Sequence, residues 1–112
     1  MERLIQLQQW LKEKTEESKA AEQTLREDER QDEAAFQKIR GNVYGIFCAV
    51  ADAARKQAAP EAFFESKLAE IPANWEAALQ KARQFGAAEN AAIEEIKLAA
   101  AEEIRREWEA SV

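Results

Sequence analysis

No histidine occurs in this chain, and cysteine occurs once, at Cys48. Without imidazole there is no histidine general base and no histidine-ligated metal or haem. A single thiol forms neither an internal disulfide nor a cysteine-cluster zinc site. Turn-formers are scarce as well, with 3 glycines and 2 prolines in 112 residues. Sandwiches and barrels need a turn signal about every 8–12 residues, so an all-β fold is excluded. The glycines, at 41, 45 and 86, form neither a phosphate loop nor a dinucleotide fingerprint.

Long apolar runs are missing. The longest stretch without a charge, Gly41 to Ala51, falls well short of the ~20 residues that a bilayer span takes. The opening residues carry Glu2, Arg3, Lys12, Glu13 and Lys14, with no apolar centre of a signal sequence. A cytoplasmic location is expected, and one free thiol suits a reducing compartment.

Positive charge is also in deficit. Lys plus Arg number 16 against 22 Asp plus Glu, a net −6. By segment the charge is −2 over 1–40, +1 over 41–60 and −5 over 61–112, with no basic stripe to follow a phosphate backbone. The two helices expected at 61–70 and 74–85 have the outline of a helix-turn-helix. The second offers only Lys81 and Arg83 as cations, against Glu76, a poor groove reader. The amphipathic faces are acidic or mixed, which disfavours a membrane surface. Neither nucleic acid nor membrane is an expected partner.

What the chain does have is alanine, the best helix former, and apolar residues at helical spacing. Leu, Ile, Val and Phe together make just under a fifth of it. Each large side chain contributes ~2 kcal/mol on burial, whereas ordering the backbone costs ~1–2 kcal/mol per residue. A lone monomer would therefore have a thin core, which a partner chain would supplement.

Residues 1–40 contain no Gly or Pro. Leu4, Leu7, Leu11, Ala21 and Leu25 lie on one narrow helical seam, closer to a coiled-coil stripe than to a core helix. From Arg26 to Glu33 seven of eight residues are charged. This predicts a solvated stretch of continuous helix, with a flexible joint as the alternative. Phe36, Ile39, Val43, Ile46 and Val50 then mark a buried face, with Phe47, Cys48 and Ala51 on other faces and Tyr44 near the edge of the buried zone. The apolar phase runs through Gly41, so continuity there is favoured over a break capped by Asn42. Gly41, Gly45, Ala49 and Ala53 make a strip of small residues, read either as tight packing against a neighbouring helix or as a ligand slot.

Pro60 suits a first helical position. Pro72 is expected to close a short helix over 61–70, and Asn74 to cap another over 75–85 whose apolar residues are Trp75, Ala78, Leu79, Ala82 and Phe85. Gly86 offers a stop. A last helix over 87–109 carries Ile93, Ile96, Ala100, Ile104 and Trp108.

Chemistry finds little support. The pairs Glu16/Glu17, Glu94/Glu95 and Glu102/Glu103 are neighbours on a helix, so their carboxylates diverge by about 100°. Carboxylate-bridged metal bundles need Glu-x-x-His motifs. Cys48 has no base beside it in sequence, its nearest cations being Arg40 and Arg55. No catalytic, metal-binding or cofactor-binding residue is expected.

The expected fold is all-α, one domain over 1–112. It is a small helical bundle with a long N-terminal helix or helix pair, two short helices around Pro72 and a long C-terminal helix. Residues 34–112 are expected to close the bundle core. Residues 1–33 protrude and associate through Leu4, Leu7, Leu11 and Leu25, or else fold back onto Ile93, Ile96 and Ile104. The expected function is non-enzymatic protein–protein association, with a homodimer first. The alternative is a ligand-binding bundle using the strip Gly41, Gly45, Ala49 and Ala53 with Phe36, Tyr44 and Phe47 nearby.

Overall fold

The structure, a computed structural model, describes residues 1–111. Among them are four α-helices and no strand: α1 (Glu2–Glu27), α2 (Gln31–Ala54), α3 (Pro60–Gln84) and α4 (Ala88–Ala110). The protein is a small all-α bundle made of two helical hairpins.

Each hairpin is closed by a short turn with one residue in the left-handed region. Between α1 and α2 that residue is Glu29, at φ 61°. The Arg30 amide donates to the Leu25 carbonyl at 2.8 Å and the Glu29 amide to the Arg26 carbonyl at 3.1 Å. These bonds satisfy carbonyls that the end of α1 would otherwise leave orphaned. The charged stretch 26–33 is thus a chain reversal and not a continuous helix. Gly86, at φ 67°, does the same between α3 and α4, where the Ala87 amide donates to the Ala82 carbonyl at 2.8 Å. Gly41 lies inside α2, whose helix runs through it unbroken.

The two short helices expected around Pro72 are a single helix, α3, with Pro60 in its first turn and Pro72 in its interior. An interior proline costs ~3 kcal/mol, through the lost amide and the clash with the preceding turn. Burial on both sides of it offsets that cost. Phe64 and Leu68 are buried before it, Leu79 and Ala82 after it, and Ile71 and Trp75 pack against the core in between. The spacing of these residues keeps one helical phase across Pro72. Asn74 is an exposed residue of the helix interior, not a cap.

The core joins the first halves of α1 and α3 to the second halves of α2 and α4. It contains Leu4, Leu7 and Leu11 from α1, Val43, Tyr44, Phe47, Ala51 and Ala54 from α2, Phe64 and Leu68 from α3, and Ala100, Ala101, Ile104 and Trp108 from α4. Four aromatic contacts knit it: Trp10 to Tyr44, Phe47 to Phe64, Phe47 to Trp75, and Phe64 to Trp108 at 4.9 Å between ring centres. The hairpin tips contribute nothing to this cluster. The molecule is accordingly extended, 43 × 35 × 22 Å, and its radius of gyration of 15.1 Å exceeds the ~13 Å of a compact domain this size.

The N-terminal segment does not protrude. Leu4 and Leu11 are wholly buried and Leu7 is 2% exposed, while Leu25, near the tip, is half-buried. The reversal at Glu29 lays α1 antiparallel on α2, so the chain covers its own seam and residues 34–112 do not complete a core alone. Ile104 lies in the same core, but Ile93 stays 37% exposed.

Candidate interaction surface

Which face α2 turns outward is set by what it turns inward. The Tyr44 hydroxyl donates to Glu103 Oε1 at 2.7 Å and accepts from Arg40 Nη2 at 2.8 Å. Arg40 also reaches Glu103 Oε2 at 3.5 Å, and Lys14 Nζ lies 3.9 Å from Glu103 Oε1. Trp10 meets the Tyr44 ring edge-on at 6.2 Å. One phenol thus ties α1, α2 and α4 together. Tyr44 is 1% exposed, deeper than the boundary position expected of it, because its hydroxyl finds partners inside. Burial, then the Glu103 bond, pushes its pKa up to about 12, with Arg40 pulling the other way.

At the other end of the core, Arg3 stacks 3.7 Å from the centre of the Trp108 ring. It donates to the Trp108 carbonyl at 2.6 Å and to Ser111 Oγ at 3.0 Å, closing the start of α1 onto the end of α4. Trp108 Nε1 donates to Glu65 at 3.1 Å, which ties in α3. Both polar clusters have their groups bonded to one another, and an open depression of about 290 Å³ lies beside the second, bordered by Arg3, Glu65, Leu68, Arg105 and Trp108. The two clusters hold helices in place.

With Tyr44, Phe47, Ala51 and Ala54 inward, the expected buried face of α2 is turned partly out: Phe36 is 42% and Ile46 41% exposed. The small-residue strip is divided. A Cβ on Gly41 would lie 3.1 Å from Ser18 Cβ, so this end is a close helix contact between α1 and α2. A Cβ on Gly45 would meet nothing within 4 Å, and Ala49 and Ala53 are exposed. Tight packing therefore holds at Gly41 and fails at Gly45, where the strip faces solvent.

Two surface depressions meet at Gly45 and at Thr15 on α1. One, of about 510 Å³, is bordered by Lys19, Glu22, Lys38 and Ile46. The other, of about 580 Å³, is bordered by Lys12, Glu16, Cys48, Ala49 and Asp52. Phe36, Tyr44 and Phe47 border neither: Tyr44 and Phe47 are core, and Phe36 lies nearer the hairpin tip beside Leu25 and Arg30. Cys48 is half-buried, and its carbonyl accepts from Gln8 at 3.4 Å. Among the described residues no three metal-ligating side chains converge, and no helix is long and apolar enough to cross a membrane.

The sequence pattern named Gly41, Gly45, Ala49 and Ala53 as one strip, but placed Ile46 on the buried face of α2, where it is 41% exposed. The longest charge-free run, Gly41–Ala51, was the available signal for an outward neutral face, because its residues circle the whole helix. Compared with known proteins, the chain matches no family model, no curated protein and no solved structure.

Proposed function

We propose that this chain is a non-enzymatic protein that works by protein–protein association, first of all with a second copy of itself, through the outer face of α2. The observation that carries this is the makeup of that face. Asn42, Gly45, Ile46, Ala49 and Ala53 follow one another along it, exposed or half-exposed, an uncharged stretch with Lys38 and Asp52 as its charged neighbours, in a chain whose surface is otherwise densely ionic. Small residues let another helix approach closely, and a neutral strip loses little hydration when covered. The seam Leu4, Leu7 and Leu11 plays no part in it, being used up in the core. A cytoplasmic setting belongs to the same proposal, since the free thiol of Cys48 borders this surface.

Sedimentation velocity over a micromolar concentration series tests it. The intact chain should shift from monomer to dimer, and Ala49→Glu should stay monomeric with unchanged helicity. A chain that remains monomeric throughout would refute the self-association.

The depressions beside Gly45 support a second reading, a small-ligand site. Each has the volume of a ligand pocket, although both are open to solvent. A metabolite that raised the melting temperature without changing the mass, and lost this effect in Gly45→Leu, would favour that reading.

A further inference from the structure

We propose that the two copies pair antiparallel, with the two-fold axis passing at Gly45, so that Lys38 of each copy faces Asp52 of the other. This rests on the self-association reading and adds a partner geometry to it. Lys38, Gly45 and Asp52 are spaced by seven residues and fall close to one line along α2. At 1.5 Å per residue, the cation and the anion lie about 10.5 Å to either side of the glycine. A two-fold axis through Gly45 and perpendicular to α2 exchanges these positions, and each lysine meets an aspartate.

Three further observations agree with it. Lys38 and Asp52 are both exposed, and neither takes part in an ion pair among the described residues, which is true also of Lys12, Arg55 and Lys56, whereas Lys19 pairs with Glu16, Arg26 with Glu22 and Arg40 with Glu103. The depressions on the two sides of Gly45 carry opposite signs. The one toward Lys38 has two cations (Lys19, Lys38) and one anion (Glu22). The one toward Asp52 has one cation (Lys12) and two anions (Glu16, Asp52). The same axis lays the positive depression of one copy over the negative depression of the other. Finally, the centre is open, because nothing lies within 4 Å of a Cβ on Gly45. The exposed Ile46 borders the depression on the Lys38 side, at the edge of the paired surface. A parallel pair would set lysine against lysine and aspartate against aspartate, an arrangement that like-charge repulsion disfavours.

Charge reversal tests the register. Lys38→Glu and Asp52→Lys should each weaken dimerisation by about tenfold or more, since each places two like-charge contacts in the dimer. The double variant Lys38→Glu/Asp52→Lys should recover an affinity close to that of the parent. In a Cys48→Ala background, Gly45→Cys should yield a disulfide-linked dimer under oxidised glutathione, because a residue on a two-fold axis meets its own copy. Single reversals that leave the dimer unaffected, or a Gly45→Cys dimer that does not cross-link, would overturn the register while self-association stands. A parent chain that stays monomeric would overturn both.

Discussion

Tyr44 is the chain's only tyrosine, which makes its ionisation directly visible in the near-ultraviolet. Its folded pKa of about 12 lies above the ordinary value of 10.0. The sign follows from linkage: the stabilisation is whole below the unfolded pKa and is lost as pH rises through the folded one. A spectroscopic titration of the native chain should therefore show no phenolate at pH 10, and stability should fall between pH 10 and 12. A native midpoint near 10 would mean that the hydroxyl is neither buried nor bonded to Glu103. Tyr44→Phe should cost about 1–2 kcal/mol at neutral pH, since it removes a bond to a carboxylate and one to a guanidinium. Of this network only the Arg40–Tyr44 bond, between residues four apart on α2, could be read locally. Lys14, Arg40 and Glu103 lie on three helices, and only tertiary packing brings them to one hydroxyl. The apolar seam of α1 was legible as buried surface, but what covers it depends on where the chain reverses.

That reversal is the decisive feature among the elements. The sequence offers Gly86 as a stop, and the turn there uses its freedom at positive φ. At Glu29 the same conformation is held by a residue that disfavours it, so composition suggested helix where a turn forms. The two sites predict opposite responses. Glu29→Gly should stabilise the protein by about 1 kcal/mol, and Gly86→Ala should destabilise it by a similar amount. Thermal melts at low concentration check both, and a destabilising Glu29→Gly would mean that the turn is held by contacts of the glutamate side chain. Pro72 is the converse case. The local rule says stop, yet the apolar spacing from Phe64 to Ala82 keeps its phase, and packing of the whole face prevails over one lost hydrogen bond. The helical class and the end of α3 were legible from propensity, spacing and glycine. The rotation of α2 was not, because an apolar run that circles a helix does not say which side is inward.

For the molecule as a whole, α1 is a wall of the core. Deleting residues 1–33 removes Leu4, Leu7 and Leu11 and uncovers Tyr44 and the packed side of α2. Truncating one buried leucine to alanine costs about 2–5 kcal/mol, and a whole domain holds only about 5–15 kcal/mol. The truncated chain should thus lose cooperative melting altogether, and a folded, helical fragment 34–112 would contradict the core described above. What the fold leaves outside is the neutral face of α2, and the functional account depends on that face being covered in use. Hydroxyl-radical footprinting of the intact chain, at concentrations well below and well above the association range, measures this directly. Ile46, now 41% exposed, should become protected at high concentration, while Phe85, 72% exposed at the far hairpin tip, should react equally in both. Equal reactivity of Ile46 at both concentrations, in a chain shown to dimerise, would contradict the account.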